Sequence, residues 1–408
     1  MTDLHWWSCI LAFAVAALLT LVCTPVALRL AKRWNCFDIP AAGKSHRAPV
    51  PYLGGPAMVV SFVLVAVVAG LVETSDRRDV PDLAVFLAIA VGLAVLGLVD
   101  DLRGLSPWPR LALEIGAGIG VWTTTSTTWL PGPRPLQAVA TVCWVVIVTN
   151  SFNLLDNMDG LAAGVAAVSS IFLFAVALEN GQYLLGALAL GLAGCAIGFL
   201  RYNFHPARIY MGDSGSLFLG FVLAVLSLDL RFTAFTPVTF VVPLLIVGVA
   251  LFDTTLVTIT RLLHGRTPLQ GGLDHVSHRL VFVGLSARAA VCLLYSVAVA
   301  LGWIALVITR VDRTTALVLS GLVALFALVS AFVLAHVPVY REAGSARAPA
   351  PGAPARAGAD HKYVRGHTQR LVVRGNANGH RSPVREAPDL SGPRRRSVIG
   401  RSREPGVE

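Results

Sequence analysis

Adjacent carboxylates and a glycine-flanked aspartate are residue types that could bind a divalent cation beside a phosphorylated ligand. Asp100 and Asp101 stand side by side in the run GLVDDLRGL, and Asp213 lies in the run MGDSGS. Neighbouring carboxylates persist at low cost only where water, a cation or a basic group compensates their repulsion. Mg²⁺ prefers oxygen ligands and keeps several waters while it bridges substrate phosphates. We therefore predict that Asp213 and Asp101 bind Mg²⁺, with Mn²⁺ as the alternative ion.

The pair Asp100 and Asp101 could also act as a catalytic base that keeps an acceptor phosphate ionised. The alternative is that both are solvated acids of a loop. Near Asp213, the hydroxyl of Ser214 or Ser216 is predicted to cap the following helix, because Ser is a preferred N-cap residue. Such a cap would also present Asp213 to a ligand.

The run NSFNLLDNMDG contains five amides and carboxylates, namely Asn150, Asn153, Asp156, Asn157 and Asp159. Its asparagines recur at i, i+3 and i+7, which places them on one face of a helix end. Amides supply both donors and acceptors, which suits a nucleobase edge or sugar hydroxyls. Helix-end capping is the alternative, but it would explain only one or two of these residues. The run therefore predicts substrate binding by Asn150, Asn153, Asp156 and Asp159.

Two histidines and an arginine form a separate cationic cluster in the run DHVSHRL. His275 and His278 are three residues apart, and Arg279 follows them directly. A zinc site is disfavoured because no third ligand lies nearby. Arginine and protonated histidine bind diphosphate well. We predict catalytic roles for His275 and His278, and substrate binding by Arg279.

The run GKSHRAPVPYLGG carries a further basic cluster of Lys44, His46 and Arg47. Its prolines stiffen the loop, and the glycine pair lets the chain enter the next span tightly. One interpretation is that these basic residues beside a membrane span have no role other than setting the topology. The other, which we adopt as the prediction, is that Lys44, His46 and Arg47 bind the phosphate of a lipid or nucleotide.

These clusters must be positioned by membrane-spanning helices, because the chain is 55% hydrophobic and only 14% charged. A span requires about 20 mostly apolar residues, and in lipid its backbone must satisfy its own hydrogen bonds. The fold class is therefore all-α, a polytopic transmembrane bundle of about eleven spans. The predicted spans are 7–30, 53–72, 83–99, 110–130, 136–155, 161–178, 183–200, 215–229, 237–262, 282–309 and 314–339.

The distribution of Lys and Arg among the loops predicts the orientation of the bundle. One set of loops carries twelve basic residues and the other carries six. The richer set is cytoplasmic by the positive-inside rule, so the N-terminus lies outside and the C-terminus inside. The clusters described above then all face the cytoplasm at the cell membrane.

The chain divides into a transmembrane catalytic bundle, 1–342, and a basic tail, 343–408. The tail carries 13 Lys or Arg and five Asp or Glu, so the remaining bundle is almost neutral. A nucleic-acid-binding core is therefore excluded. Rich in Pro, Gly, Ala and Arg, the tail is predicted to be a disordered cytoplasmic appendage. Electrostatic attachment to anionic lipid is the alternative.

Asp253 lies inside the predicted span 237–262. An acid in a span is costly and usually faces the protein interior or a wet cavity. Arg261 is eight residues further on, about two helical turns, and so lies on the same face. An ion pair between Asp253 and Arg261 and a catalytic role for Asp253 both fit this spacing.

Together these motifs resemble the polyprenyl-phosphate N-acetylhexosamine-1-phosphate transferases, a family also called glycosyltransferase family 4. The resemblance covers about residues 36–282. It consists of D-x-P followed by K-x-H-x-x-P-x-P-x-x-G-G, then D-D-x-x-G-L, N-x-x-N-x-x-D-x-x-D-G-L, G-D-S-G-S and the histidine run. Five motifs in this order, in successive loops on one side of the membrane, form a specific signal.

The resemblance implies a reaction and its substrates. A UDP-N-acetylhexosamine would give its sugar-1-phosphate to undecaprenyl or decaprenyl phosphate in the bilayer, releasing UMP. Such a step begins the lipid-linked synthesis of a cell-wall or surface glycan. Carried over, Asp213 would bind Mg²⁺, Asn153, Asp156 and Asp159 would line the nucleotide pocket, and the two histidines would hold the diphosphate.

One position departs from the family pattern. Many members carry His-x-His-His, whereas this chain has Ser277 before His278. Serine donates a hydrogen bond but carries no charge, so a role that needs a third histidine is in doubt. The simple histidine loop and the eleven spans favour the GlcNAc-1-phosphate branch over the phospho-N-acetylmuramoyl-pentapeptide branch.

An ion-coupled transporter is the alternative from another class of protein. Transporters place coupling acids near the bilayer midplane. Here only Asp253 is predicted to lie within the membrane, and the other acids follow span ends. The sequence leaves the oligomeric state open, and a homodimer is compatible with it.

Overall fold

The computed structural model describes residues 5–39, 48–73, 79–124, 132–232, 240–268 and 272–340. Within them lie thirteen helices and one two-stranded sheet. The helices are α1 (His5–Arg33), α2 (Gly54–Glu73), α3 (Asp79–Arg103), α4 (Pro107–Thr124), α5 (Arg134–Leu155), α6 (Leu161–Glu179), α7 (Tyr183–Asn203), α8 (Gly212–Leu228), α9 (Val241–Ile246), α10 (Gly248–Leu263), α11 (Val276–Phe282), α12 (Ala287–Ile308) and α13 (Arg313–Ala335). The strands are β1 (Phe37–Asp38) and β2 (Val50–Pro51).

The all-α, polytopic class is confirmed. Each of the eleven predicted spans overlaps a helix, and eight helices of the described chain are long and apolar enough to cross a membrane. α4 is not among the eight, and α8, with 17 residues, is shorter than any of them. The predicted span 237–262 is divided at Val247 into α9 and α10. The number of crossings and the orientation stay predictions.

α8 forms the centre of the bundle. Every residue from Ser214 to Leu228 is buried, and α2, α3, α5, α6 and α7 pack around the helix. A helix that is apolar on all sides belongs in a core. The packing is closest at its first turn, where a Cβ on Gly97 of α3 would lie 2.4 Å from the carbonyl carbon of Asp213. Only glycine permits this approach, so α3 and α8 meet directly at their polar ends.

The segments on either side of the first basic loop are tied to the start of α8. β1 pairs antiparallel with β2, and Tyr52 bridges to Tyr210. The amides of Gly54 and Gly55 donate to the carbonyls of Tyr210 and Met211, each at 3.0 Å. This agrees with the predicted tight entry into α2. The predicted phosphate-binding residues Lys44, His46 and Arg47 lie outside the described residues.

The outer helices differ in how much of their surface is packed. α1 packs along α7, whereas α13 contacts mainly α12 and α10 and has Ala316 as its one buried residue. Large apolar side chains such as Leu325, Phe326 and Phe332 of α13 are exposed. Such a surface suits a helix that faces lipid. The predicted tail, 343–408, lies outside the described residues.

Candidate active site

Asp213, in the first turn of α8, shares an arginine with Asp100 at the end of α3. The Arg110 Nη1 atom lies 3.5 Å from Asp213 Oδ2 and 3.6 Å from Asp100 Oδ2. Arg110 also approaches Glu114, one turn on in α4, with 3.6 Å between Nε and Oε1. Glu114 is almost fully buried. The guanidinium therefore occupies the gap between two carboxylates and compensates their repulsion.

Two of the predicted amides hold this group of charges in place. Asn153 Nδ2 donates to Asp213 Oδ1 at 2.7 Å and to Ser216 Oγ at 2.9 Å. Asn150 donates to Glu114 and accepts from Arg110 Nη2 at 3.4 Å. Because Oδ1 of Asp213 is held by an amide, its Oδ2 atom is the one turned towards Arg110. Both amides contact protein carboxylates in this structure, which favours a positioning role.

Asp101 caps α8 from a different helix. Its Oδ1 atom accepts from the backbone N–H of Asp213 at 2.9 Å, and its Oδ2 atom accepts from Ser214 at 3.3 Å. The predicted cap by Ser214 or Ser216 is wrong, because the helix begins without a side-chain cap of its own and Ser216 Oγ donates back to the Gly212 carbonyl. A carboxylate at a helix N-terminus satisfies N–H groups that lack partners and interacts favourably with the helix dipole.

Gly212 makes the Asp101 cap possible. Its φ angle is +69°, and a Cβ there would lie 2.4 Å from Asp101 Oδ2. Both features exclude an ordinary side chain, since the left-handed region favours glycine. The glycine before Asp213 therefore serves the approach of a carboxylate from α3.

The carboxylates of this site fit a magnesium ion whose remaining ligands would be waters and substrate phosphates. No group of three His, Cys, Asp or Glu side chains forms a metal site among the described residues. Mg²⁺ is commonly held by one or two carboxylates together with waters and substrate phosphates. Asp213 and Asp100 supply two carboxylates around one positive charge, that of Arg110. Asp101 uses both oxygens to accept backbone N–H groups, whereas Asp100 accepts the Leu105 amide through Oδ1 alone, at 2.6 Å, and keeps Oδ2 beside Arg110. Asp100 is therefore the better placed second carboxylate.

The first histidine of the predicted cluster is oriented by Asp253. His275 Nδ1 lies 2.7 Å from Asp253 Oδ2, and the Val276 amide donates to Asp253 Oδ1 at 2.6 Å. The ion pair between Asp253 and Arg261, one of the two interpretations that fitted their spacing, is therefore not formed. Eight helical residues separate those two by about 12 Å along the helix axis, while the chain after α10 folds back and offers each a nearer partner.

Arg261 pairs with Asp274. Its Nε and Nη2 atoms donate to the two carboxylate oxygens of Asp274 at 2.8 and 2.7 Å. Burial alone would raise the pKa of Asp274, but hydrogen bonds from Arg261 and Tyr340 bring it down to about 2. Asp274 is thus a buried, ionised anchor directly before His275.

His278 is buried and unpartnered. Its side chain has little exposure, and neither ring nitrogen has a hydrogen-bonding partner in the described part of the chain. Burial and the neighbouring His275 lower the pKa of His278 to about 4. The imidazole is therefore neutral near pH 7, and binding of diphosphate through its charge, as predicted, is disfavoured. A buried polar group without a partner is costly unless a ligand supplies one.

Ser277 links the histidine run to the end of α5. Its hydroxyl donates to Asn157 Oδ1 at 2.6 Å, and Asn157 Nδ2 donates to the Leu154 carbonyl at 2.8 Å. α5 and the residues after it thus contact α8 through Asn153 and the histidine run through Asn157. Two motifs far apart in sequence meet here.

Arg279 is engaged within the protein. It is fully buried, and it donates to the carbonyls of Asp274 and Leu334 at 2.7 and 2.8 Å and to Thr260 Oγ1 at 3.2 Å. These contacts favour a structural role, and substrate binding by Arg279 stays a prediction.

The two predicted aspartates after α5 have different surroundings. Asp159 Oδ2 lies 2.8 Å from His205 Nδ1 and accepts from the Ala207 amide at 3.0 Å. Asp159 therefore fixes the connection between α7 and α8. Burial and the charges of Asp213 and Asp159 raise the pKa of Asp156 to about 7. A hydrogen-bond donor of a ligand would therefore stabilise the ionised form of Asp156.

Three functional positions were not predicted from the sequence. Arg110 and Glu114 had a local signal, since opposite charges four residues apart lie on one face of a helix. Tyr340, whose hydroxyl donates to Asp274 at 2.6 Å, had none. Its partner is 66 residues away in sequence.

The structure thus defines a polytopic membrane protein with a carboxylate-rich site where α3, α4, α5 and α8 meet. The sequence profile described as glycosyl transferase family 4 matches residues 83–231, which contain all of the acidic motifs. The chain is also similar to individual members along most of its length. It belongs to glycosyl transferase family 4.

One relative is the probable undecaprenyl-phosphate N-acetylglucosaminyl 1-phosphate transferase of Bacillus subtilis. It is 35% identical over 304 residues, which cover 72% of this chain and 83% of the relative. The decaprenyl-phosphate N-acetylglucosaminephosphotransferase of Mycolicibacterium smegmatis is 30% identical over 315 residues, covering 69% and 77%. A phospho-N-acetylmuramoyl-pentapeptide-transferase of Streptococcus thermophilus is 30% identical over 209 residues, covering 46% and 62%.

Proposed function

We propose that this protein transfers GlcNAc-1-phosphate from UDP-GlcNAc to a membrane polyprenyl phosphate, either undecaprenyl or decaprenyl phosphate, and releases UMP. The observation that carries the proposal is the convergence of the predicted motifs around the end of α5. Asn153 binds Asp213 of α8, and Asn157 binds Ser277 of the histidine run. Relatives that share most of this length are named for this transfer.

Phosphoryl transfer depends mainly on positioning and on neutralising the charge of the phosphates. When bound, Mg²⁺ would supply that neutralisation, and Asp213 and Asp100 would hold it. Arg110 balances the same carboxylates and presents further donors to an incoming phosphate. Asp101 caps the first turn of α8 and so fixes Asp213 beside Asp100.

The nucleotide end of the substrate belongs beside the histidine run. His278 has two unpartnered ring nitrogens, and a neutral imidazole offers one donor and one acceptor. His275 is held at Nδ1 by Asp253, so its Nε2 atom is the one available to a ligand. The hydrogen bond between Asp253 and Nδ1 also sets the orientation of the His275 ring. Asp156 completes this wall with a carboxyl group that is easily protonated.

The site faces the cytoplasm in this proposal. Support comes from the excess of basic residues in the loops on the same side as the motifs. UDP-sugars are charged and water-soluble, whereas the acceptor is a lipid, so the ends of membrane helices are where the two can meet. The protein would begin the assembly of a lipid-linked cell-wall or surface glycan.

The proposal is tested by transfer of label from UDP-[¹⁴C]GlcNAc into polyprenyl phosphate by the purified protein, with Mg²⁺ or with EDTA. We expect labelled lipid and UMP only with the metal. Asp213→Asn should abolish transfer, while Asp312→Asn should retain it, because Asp312 caps α13 far along the chain from the acidic motifs. Label transfer by Asp213→Asn at the wild-type rate would contradict the assignment.

A second donor is favoured by the similarity to the Streptococcus thermophilus pentapeptide transferase. UDP-MurNAc-pentapeptide therefore replaces UDP-GlcNAc in a parallel reaction. Lipid product from UDP-MurNAc-pentapeptide alone would assign the protein to the pentapeptide-transferase branch of the family. No product from either donor would leave the family assignment intact and reject the proposed reaction.

A further inference from the structure

The chain after α13 folds back onto the loop that precedes the histidine run. Tyr340 Oη donates to Asp274 Oδ2 at 2.6 Å and lies 3.4 Å from Thr260 Oγ1. Its ring lies 4.5 Å from the His264 ring, and the guanidinium carbon of Arg266 lies 4.6 Å from its centroid. Tyr340 is therefore held by its hydroxyl and by two contacts to its ring.

A second contact joins the same two parts of the chain. Arg279 donates through Nη1 to the Leu334 carbonyl in the last turn of α13 and through Nε to the Asp274 carbonyl. Asp274 thus receives Tyr340 and Arg261 on its side chain and Arg279 on its backbone. Each bond involves a charged group in a buried setting, where such hydrogen bonds are strong.

These contacts stand out because α13 is otherwise loosely packed. Ala316 is the one buried residue of this helix, and its large apolar side chains are exposed. The polar contacts of Leu334 and Tyr340 are confined to the helix end beside the histidine run. A helix that only spans the membrane does not require these buried polar contacts to Arg279 and Asp274.

We propose that Tyr340 is a positioning residue, which closes the end of α13 onto Asp274 and thereby fixes His275 and His278 for the nucleotide diphosphate. This inference rests on the proposed function. Asp274 directly precedes His275, and the Nδ1 atom of His275 lies 2.7 Å from Asp253 Oδ2. The loop is thus clamped at neighbouring residues from two directions, and Tyr340 supplies the clamp from the C-terminal side.

The ionisation of both partners supports the geometry. Asp274 is held ionised, with its pKa lowered to about 2 chiefly by Arg261 and Tyr340 against the opposing effect of burial. Burial and the hydrogen bond to Asp274 raise the pKa of Tyr340, so its phenol remains a donor. The bond therefore persists across the neutral pH range.

The test compares Tyr340→Phe with Tyr202→Phe. Both changes delete one phenol hydroxyl and keep the ring, but Tyr202 donates to the Leu21 carbonyl between α7 and α1. We expect Tyr340→Phe to raise KM for UDP-GlcNAc about tenfold, the loss expected for one hydrogen bond to a carboxylate. KM for polyprenyl phosphate and kcat should stay within about twofold. Tyr202→Phe should change neither constant.

Hydrogen exchange of the peptide that covers 272–283 gives a readout that does not depend on the reaction. Tyr340→Phe should exchange faster there than the wild type, and Tyr202→Phe should not. Faster exchange without transfer from any donor would support the clamp while rejecting the proposed function. Normal exchange, or a lower unfolding temperature with unchanged KM for the nucleotide sugar, would overturn the positioning role.

Discussion

Replacing Gly212 by alanine is the sharpest test of how the acidic site is built. The left-handed φ of +69° would cost an alanine about 1 kcal/mol. Its Cβ would lie 2.4 Å from Asp101 Oδ2, so the carboxylate must move. Loss of one of the two hydrogen bonds from α8 to Asp101 adds about 2 kcal/mol. We expect Gly212→Ala to lower the free energy of unfolding by about 3 kcal/mol.

Gly181→Ala is the matched control. Gly181 has nearly the same φ, +70°, but beyond its two neighbours in the chain no described atom lies within 4 Å of its Cβ position. Gly181→Ala has the backbone strain but no steric clash with a carboxylate, so it should lower the free energy of unfolding by about 1 kcal/mol. The difference between the two variants isolates the contact with Asp101.

Thermal unfolding can be followed with a thiol-reactive fluorescent dye, because the thiol of Cys195 is buried in the folded protein and becomes accessible on unfolding, while the exposed Cys143 and Cys292 give a constant background. Transfer of GlcNAc-1-phosphate is measured on the same samples. Gly212→Ala should also lose about a hundredfold in transfer rate, since displacement of a catalytic group by about 1 Å has that effect. Equal unfolding temperatures for the Gly212 and Gly181 variants, with transfer retained in both, would refute the role given to the cap.

Three further outcomes are expected, two from shifted pKa values and one from the predicted tail. Burial lowers the pKa of His278 to about 4 from its ordinary 6.5, so neutral His278 contributes stability above pH 6.5 and this contribution is lost as the pH falls towards 4. Between pH 6.5 and pH 4, the unfolding temperature of His278→Gln should therefore fall less than that of the wild type. The pKa of Asp156 is raised from 3.8 to about 7, so its contribution is present at low pH and is lost as the pH rises through 7. Asp156→Asn should accordingly raise the unfolding temperature more at pH 8 than at pH 5, and an equal change at both would reject the raised pKa. Deletion of 343–408 should leave the transfer rate in detergent largely unchanged; a large loss would show that the tail contributes to the site.

Hydropathy predicted the helices well because a membrane span is a local property of the sequence. Length, apolar composition and flanking charge identified an interval for each long helix. The division of span 237–262 at Val247 was not predicted, since apolar residues continue through it. α11 was also missed, because a short helix of mixed composition has no such signal.

The residues of the site were predicted better than their partners. Asp100, Asp213 and Asn153 were identified by type and spacing, and the structure brings them together. The partners were missed where they come from distant parts of the chain. The carboxylate that caps α8 belongs to Asp101, 112 residues before the amide it binds. Local spacing favoured a nearby serine as the cap, and it allowed an ion pair between Asp253 and Arg261 that the structure does not form.

The position of α8 has a consequence for how the protein is made. All five helices that pack around it, α2, α3, α5, α6 and α7, precede it in the chain. Translation releases the N-terminal segments first, so the cleft that receives α8 is already in the membrane when this helix leaves the ribosome. Its arrival brings Asp213 to Asn153 and completes the acidic site. The acidic half of the site can thus assemble during synthesis, whereas the histidine half must wait until α13 has been translated.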